Sequence, residues 1–215
     1  MDNKKTNWST RVYNYLHKAI INGKFNDKEQ LSEQEIANKL GCSRTPVRDA
    51  LKKLEHEGFV EIQANKGAFI KPFTFKDALE IFQIREALEG IAARIAAKMM
   101  PEKVIEHFTN EFNRKGMTIK DKTDIGYKFH QNIRKWSNNE RLNSILENYM
   151  YQIKRINKMS ESIPGSQEEA HEQHLLLLES IKLRDEELAG KRMREHIVAT
   201  RNLTLENYQF FNNFD

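Results

Sequence analysis

Cysteine is almost absent: Cys42 stands alone in 215 residues. An internal disulfide is therefore excluded, and a reducing compartment is the natural setting. Long apolar runs are missing too, and nothing approaches the roughly 18 consecutive apolar residues that a membrane span needs. The opening MDNKKTNWST has no apolar segment of the kind a secretory signal carries. No repeat or low-complexity tract appears. These absences predict a cytoplasmic globular protein with no membrane partner.

Charge is modest, at +4 overall, but unevenly placed. Residues 1–72 hold 13 Lys+Arg against 9 Asp+Glu, whereas residues 73–215 hold 22 of each. The whole excess lies in the first third, so an anionic partner should meet that part.

Apolar spacing divides the chain at the same place. Val12, Leu16, Ala19 and Ile20 share one face of a helix over 9–23 that closes at Gly23. After the polar turn KFNDKEQ, Ser32 caps a short helix, with Glu35 at the third position after it as in a capping box, and Leu31, Ile36 and Leu40 are its apolar positions. Gly41 ends it and Ser43 caps the next helix. There Pro46 sits in the first turn, where its missing N–H costs nothing. Val47, Ala50, Leu51 and Leu54 form the buried stripe and Gly58 the stop. Residues 59–62 and 68–70 read as a hairpin around ANKG. Three helices and a small hairpin make a winged helix-turn-helix over residues 1–72.

From residue 73 to 215 the expectation is an all-α bundle of six or so helices, so the fold class is mainly α. Ile81, Ile84, Leu88, Ile91 and Ile95 form one long stripe. The stretch 101–123 is polar and ambiguous. Periodic segments follow at 124–137, 139–159, 167–183 and 185–208, with Pro164-Gly165 as a break.

In a helix-turn-helix the start of the second helix enters the major groove of double-stranded DNA. The residues there are Ser43, Arg44, Thr45 and Arg48. The two arginines lie four apart, on one face, and away from the Val47/Leu51/Leu54 face. Arginine suits bidentate contact with guanine, and Ser and Thr bond phosphate or base edges. Asn65 and Lys66 at the hairpin tip would reach phosphate or the minor groove. Read singly, exposed arginines are as often plain solvated charges.

Taken together, LSEQEIANKLGCSRTPVRDALKKLEHEGFVEIQANKGAFI resembles the DNA-binding domain of the GntR family of bacterial regulators. The runs SRTPVR followed by AL, LEHEGFV and NKGAF carry that resemblance. PFTFKDALEIFQIREALEGIAARIAA, FHQNIRKWSNNERL and HLLLLESIKLRDEELAGKRMREHI are similar to the FadR-type subfamily, whose effector domain is called FCD. The resemblance covers most of the chain. It implies a homodimeric, ligand-responsive repressor that is not an enzyme. It also implies DNA contacts at Gln34, Ser43, Arg44, Thr45, Arg48, Asn65, Lys66 and Gly67. Gln34 holds a place where an arginine contacts DNA in a well-known member.

Three of the seven histidines, His130, His174 and His196, fall on different predicted helices. One helical histidine is more often a satisfied core or surface residue than a ligand, and spacing cannot bring three together. The resemblance implies what spacing cannot: many FCD domains bind a divalent metal through an aspartate and three histidines, and these three match. The aspartate's place is taken by Gly126. Asp124, six residues before His130, is off that face. A neutral three-histidine site still binds Zn²⁺ with an open position, as in carbonic anhydrase, and imidazole suits Zn²⁺ or Ni²⁺. Gly126→Asp is expected to tighten the metal. His171, three residues before His174, is an alternative ligand in its place, but the expectation is that it lies off the pocket face and meets solvent. Arg85 matches an arginine that often points into the effector pocket. An acidic ligand, Glu86 or Glu89 must satisfy its charge, and a carboxylate-bearing effector is the expectation. Two rivals remain: a helical domain that only dimerises, and a metalloenzyme with the histidines activating water. No general base beside those histidines favours the second.

Overall fold

The computed structural model describes residues 8–21 and 24–212. They divide into two compact units, Met1–Thr74 and Phe75–Asp215.

In the first unit, α1 (Trp8–Ile21) buries Val12, Leu16, Ala19 and Ile20, the stripe its spacing predicts. Its expected end at Gly23 lies outside the described residues. The helix α2 (Glu33–Leu40) starts at Ser32, whose hydroxyl accepts from the Glu35 N–H at 3.3 Å, and ends at Gly41. The helix α3 (Arg44–His56) begins after Ser43, which sits at the capping position without making the capping bond, and buries Val47, Ala50, Leu51 and Leu54 against α1. The hairpin is β2 (Val60–Gln63) and β3 (Gly67–Ile70), with Val60 opposite Ile70 and Gln63 opposite Gly67. A third strand was not expected. β1 (Gln30–Leu31) pairs antiparallel with β3, giving the order β1-β3-β2. KFNDKEQ thus leads into the sheet, and Leu31 is buried from a strand rather than from α2. Two residues are too few for period-2 alternation to announce a strand.

The second unit has seven described helices: α4 (Phe75–Met99), α5 (Glu102–Phe112), α6 (Ile119–Trp136), α7 (Glu140–Asn148), α8 (Met150–Glu161), α9 (Ser166–Lys182) and α10 (Glu186–Asn212). The ambiguous 101–123 stretch is α5 and the first turn of α6. Ile105, Phe108 and Phe112 give α5 a narrow buried face at i, i+3 and i+7. The expected segment 139–159 is two helices, α7 and α8, parted at Tyr149.

Of the expected α4 stripe only Ile81 is buried within this unit. The buried face of α4 is Ala78, Ile81, Phe82, Arg85, Glu89, Ala92, Ala93, Ala96 and Ala97, whereas Ile84, Leu88 and Ile95 are half-buried and Ile91 is 47% exposed. The reason is close packing. α10 lies along α4 so tightly that a Cβ on Gly190 would stand 3.2 Å from the Gly90 carbonyl oxygen. From Gly90 onward only small side chains fill the inner face, and Ile91 and Ile95 are turned away from it.

Phe108 is fully buried against the Phe112 and Phe129 rings. Phe108→Ala should cost about 3–5 kcal/mol of stability, read as a lower denaturant midpoint for the second unit's transition.

Candidate DNA interface and buried histidine centre

In the first unit, α3 turns its apolar stripe inward, which leaves Ser43, Arg44, Thr45 and Arg48 exposed together. The arginines are not simply solvated. Glu33, the first residue of α2, accepts from both: Arg44 Nη2 donates at 3.0 Å and Arg48 Nε at 2.8 Å. Partial burial opposes ionisation of Glu33, but the hydrogen bonds from Arg44 and Arg48 outweigh it and hold its carboxyl below the usual range. One carboxylate therefore sets the spacing of two guanidinium groups. Sequence reading missed Glu33, because separations of 11 and 15 residues carry no periodic signal. Gln34 is exposed and donates to Asn38 Oδ1 at 2.9 Å. Asn65, Lys66 and Gly67 are exposed at the hairpin tip, and Gln30 Nε2 donates to the Lys66 carbonyl at 2.7 Å, fixing the tip to β1.

In the second unit, α6, α9 and α10 each carry one histidine inward. His130 Nε2 lies 3.0 Å from His174 Nε2 and 3.2 Å from His196 Nε2, and all three rings are buried. One nitrogen from each ring lies within 4.8 Å of the others, a spread that one ion can span. Two rings are aimed from behind. His130 Nδ1 pairs with Glu89 Oε2 at 2.5 Å, and His196 Nδ1 with Gln173 Oε1 at 2.8 Å. Such contacts fix tautomer and ring orientation so that Nε2 presents its lone pair.

Glu89 is 1% exposed, and its other oxygen accepts from Arg85 Nε at 2.7 Å. Burial opposes its ionisation, yet the charges of Arg85 and His130 hold its carboxyl well below the ordinary range. Arg85 is thus met by Glu89, whereas Glu86 pairs with Arg201. Of the three acids expected to meet Arg85, Glu89 does so, while Arg85 Nη1 is buried with no partner among the described residues.

A cavity of about 80 Å³ opens on this group, lined by Arg85, Glu89, Gly126, His130, His174 and His196 among others. His171 also lines it, against expectation. The residue is half-buried, packs on the Phe112 ring, and its Nδ1 is buried with no hydrogen-bond partner among the described residues. Asp124 is exposed, as its place on the helix predicts. A Cβ on Gly126 would stand 2.7 Å from His174 Cε1, so Gly126→Asp requires the His174 ring to move. The tightening expected of Gly126→Asp thus depends on that ring giving way.

Comparison with known proteins now bears on both units. The family described as bacterial regulatory proteins, gntR family, matches residues 8–70, and the FCD domain matches residues 80–199. The chain belongs to the GntR family, in its FCD-domain branch. This regulator is 27% identical to the HTH-type transcriptional regulator YdhC of Bacillus subtilis (strain 168), over 95% of this chain and 92% of that one. It is 24% identical to the HTH-type transcriptional repressor RspR of Escherichia coli (strain K12), over 94% and 92%. The solved structure of E. coli McbR/YncC shares the fold at a TM-score of 0.72 and 20% identity, covering 94% and 98% of the two chains. The GntR regulator is a DNA-binding transcriptional regulator and not an enzyme. Among the described residues no helix is long and apolar enough to cross a membrane.

The donor set fits the divalent metal that FCD domains can bind. Three imidazoles converge through Nε2, with Glu89 behind His130 as the partner that aims its ring. Glu89 is itself paired with Arg85, so the converging donors remain the neutral set expected from the three histidines.

Burial, with the charges of the neighbouring histidines, pushes His174 well below the usual imidazole value, and burial with His130 and Arg85 does the same to His196. Both rings stay neutral in the fold but take up protons in the unfolded chain below about pH 6.5. There the unfolded state binds more protons, so stability falls as pH drops from about 6.5 toward the depressed folded values. Chelator-treated protein should melt progressively lower across that window. A His174→Gln, His196→Gln variant should show a shallower slope.

Proposed function

We propose that this regulator is a ligand-responsive repressor that acts in the cytoplasm as a homodimer. Its first unit binds double-stranded operator DNA, and its second senses a small carboxylate-bearing metabolite at a divalent metal, zinc or nickel, held by His130, His174 and His196. The observation that carries the sensing half is the convergence of three buried imidazole nitrogens on a polar cavity. A helical domain that only dimerised would have no use for such a cavity, whose charged and polar walls cost stability. The unpartnered Nη1 of Arg85, buried in the same wall, supports an anionic effector. The half-exposed Ile84, Leu88, Ile91 and Ile95 on α4 support a second copy as the partner that covers them.

On the DNA side Arg44 and Arg48 read bases, Ser43, Thr45 and Gln34 bond the backbone or base edges, and Asn65, Lys66 and Gly67 bring the wing to the neighbouring groove. DNA binding draws Arg44 and Arg48 from Glu33 or keeps Glu33 between them. Arg44→Ala and Arg48→Ala should each cost about 1–3 kcal/mol of operator binding and relax base preference. Lys66→Ala should weaken operator and random DNA alike. Glu33→Gln should raise affinity for random DNA more than for operator, since it removes a negative charge and the clamp together. Fluorescence anisotropy on a selected operator and a scrambled duplex reads all four variants. Arginine variants that bind both duplexes like the unsubstituted protein would overturn the reading.

A further inference from the structure

One cation in the cavity wall, Arg134, has no carboxylate partner among the described residues. Arg134 stands on α6 one turn beyond His130, about 6 Å further along the axis, and lines the same cavity. The other two cations of that lining, Arg85 and Lys122, each meet a carboxylate, on Glu89 and Glu168 respectively. Arg134 meets only the thioether of Met150 among the described residues, with Nη1 3.3 Å from Sδ. A thioether is a weak acceptor and carries no charge. The guanidinium is half-buried, and its charge helps hold Glu89 ionised. It is therefore near the Glu89 and His130 end of the cavity without being neutralised there.

A cation taken partly out of water without a counter-charge is unfavourable, and a planar guanidinium is best met by a carboxylate. Arg85 Nη1 is a second unmatched donor in the same wall, on a side chain 5% exposed. Arg134 is therefore the cation in this wall without a carboxylate among the described residues, and a monocarboxylate held at the histidine centre leaves it unmet.

We propose that the effector is a short-chain dicarboxylic acid. One carboxylate lies at the histidine centre beside Arg85. The other is received by Arg134, which replaces the Met150 contact with a charge-assisted pair. The single turn between His130 and Arg134 suits a short spacer such as that of succinate. Arg134 is thus the residue that separates dianions from monoanions. This rests on the carboxylate-sensing reading above.

Succinate and butyrate separate the two claims, because they share a four-carbon skeleton and differ in the second carboxylate. Calorimetric titration of the full-length protein with one equivalent of zinc, at constant ionic strength, should give succinate at least about tenfold tighter than butyrate, the size of one charge-assisted hydrogen bond. Arg134→Gln should erase that gap, and Arg134→Lys should restore part of it. Equal affinities for the two acids, or a gap that survives Arg134→Gln, would overturn the dicarboxylate assignment while leaving carboxylate sensing intact. Failure of both acids to bind would overturn the assignment and the sensing reading together.

Discussion

The interior of the helical unit is arranged around one buried carboxylate. Glu89 has no access to water, and an isolated ion in such a place would be prohibitively costly. It is tolerated because Arg85, one turn earlier on the same helix, takes one oxygen and His130 takes the other. That arrangement fixes His130 with Nε2 toward α9 and α10, where His174 and His196 complete the centre. Removing Glu89 would free His130 to rotate and leave Arg85 as an unpaired buried charge. The surrounding contacts are compatible with this polar group only because the helices come close. Alanines line α4 on either side of Arg85 and Glu89, and Gly90 meets Gly190 across the α4–α10 seam.

Much of the fold was legible in the residues. The α1 and α3 stripes, the Ser32 and Gly41 caps and the hairpin around Asn65 follow local rules, and local rules are what sequence displays. The misreadings share a cause. On α4 the long aliphatic side chains form the visible stripe, but beyond Ile81 they are not the face buried within this unit, and no property of α4 alone reveals how close α10 will come. The same holds for β1, which exists only because β3 offers it an edge. It holds for α5 as well, whose three buried residues are diluted among charged ones.

The site was legible by residue type but not by connection. His130, His174 and His196 were assigned to the metal through resemblance, and their convergence is a tertiary fact. Glu89 was named only as one acid that might answer Arg85, although it is also the group that aims His130. Glu33 was overlooked as the shared partner of Arg44 and Arg48. Both acids work through contacts between elements, where spacing along the chain says nothing. His171 is expected in solvent for the same reason: its three-residue offset from His174 puts it on the next part of the helical face, and Phe112 of α5 decides that this part is half covered.

The account depends most directly on whether the three imidazoles hold an ion. Elemental analysis of the purified protein, followed by zinc titration against a chromogenic chelator near pH 7.5, measures this. One zinc per chain, lost in His174→Ala and weakened about 10- to 100-fold in Glu89→Gln, is the predicted result. A protein that takes up no zinc, or whose zinc is indifferent to His174→Ala, would contradict it.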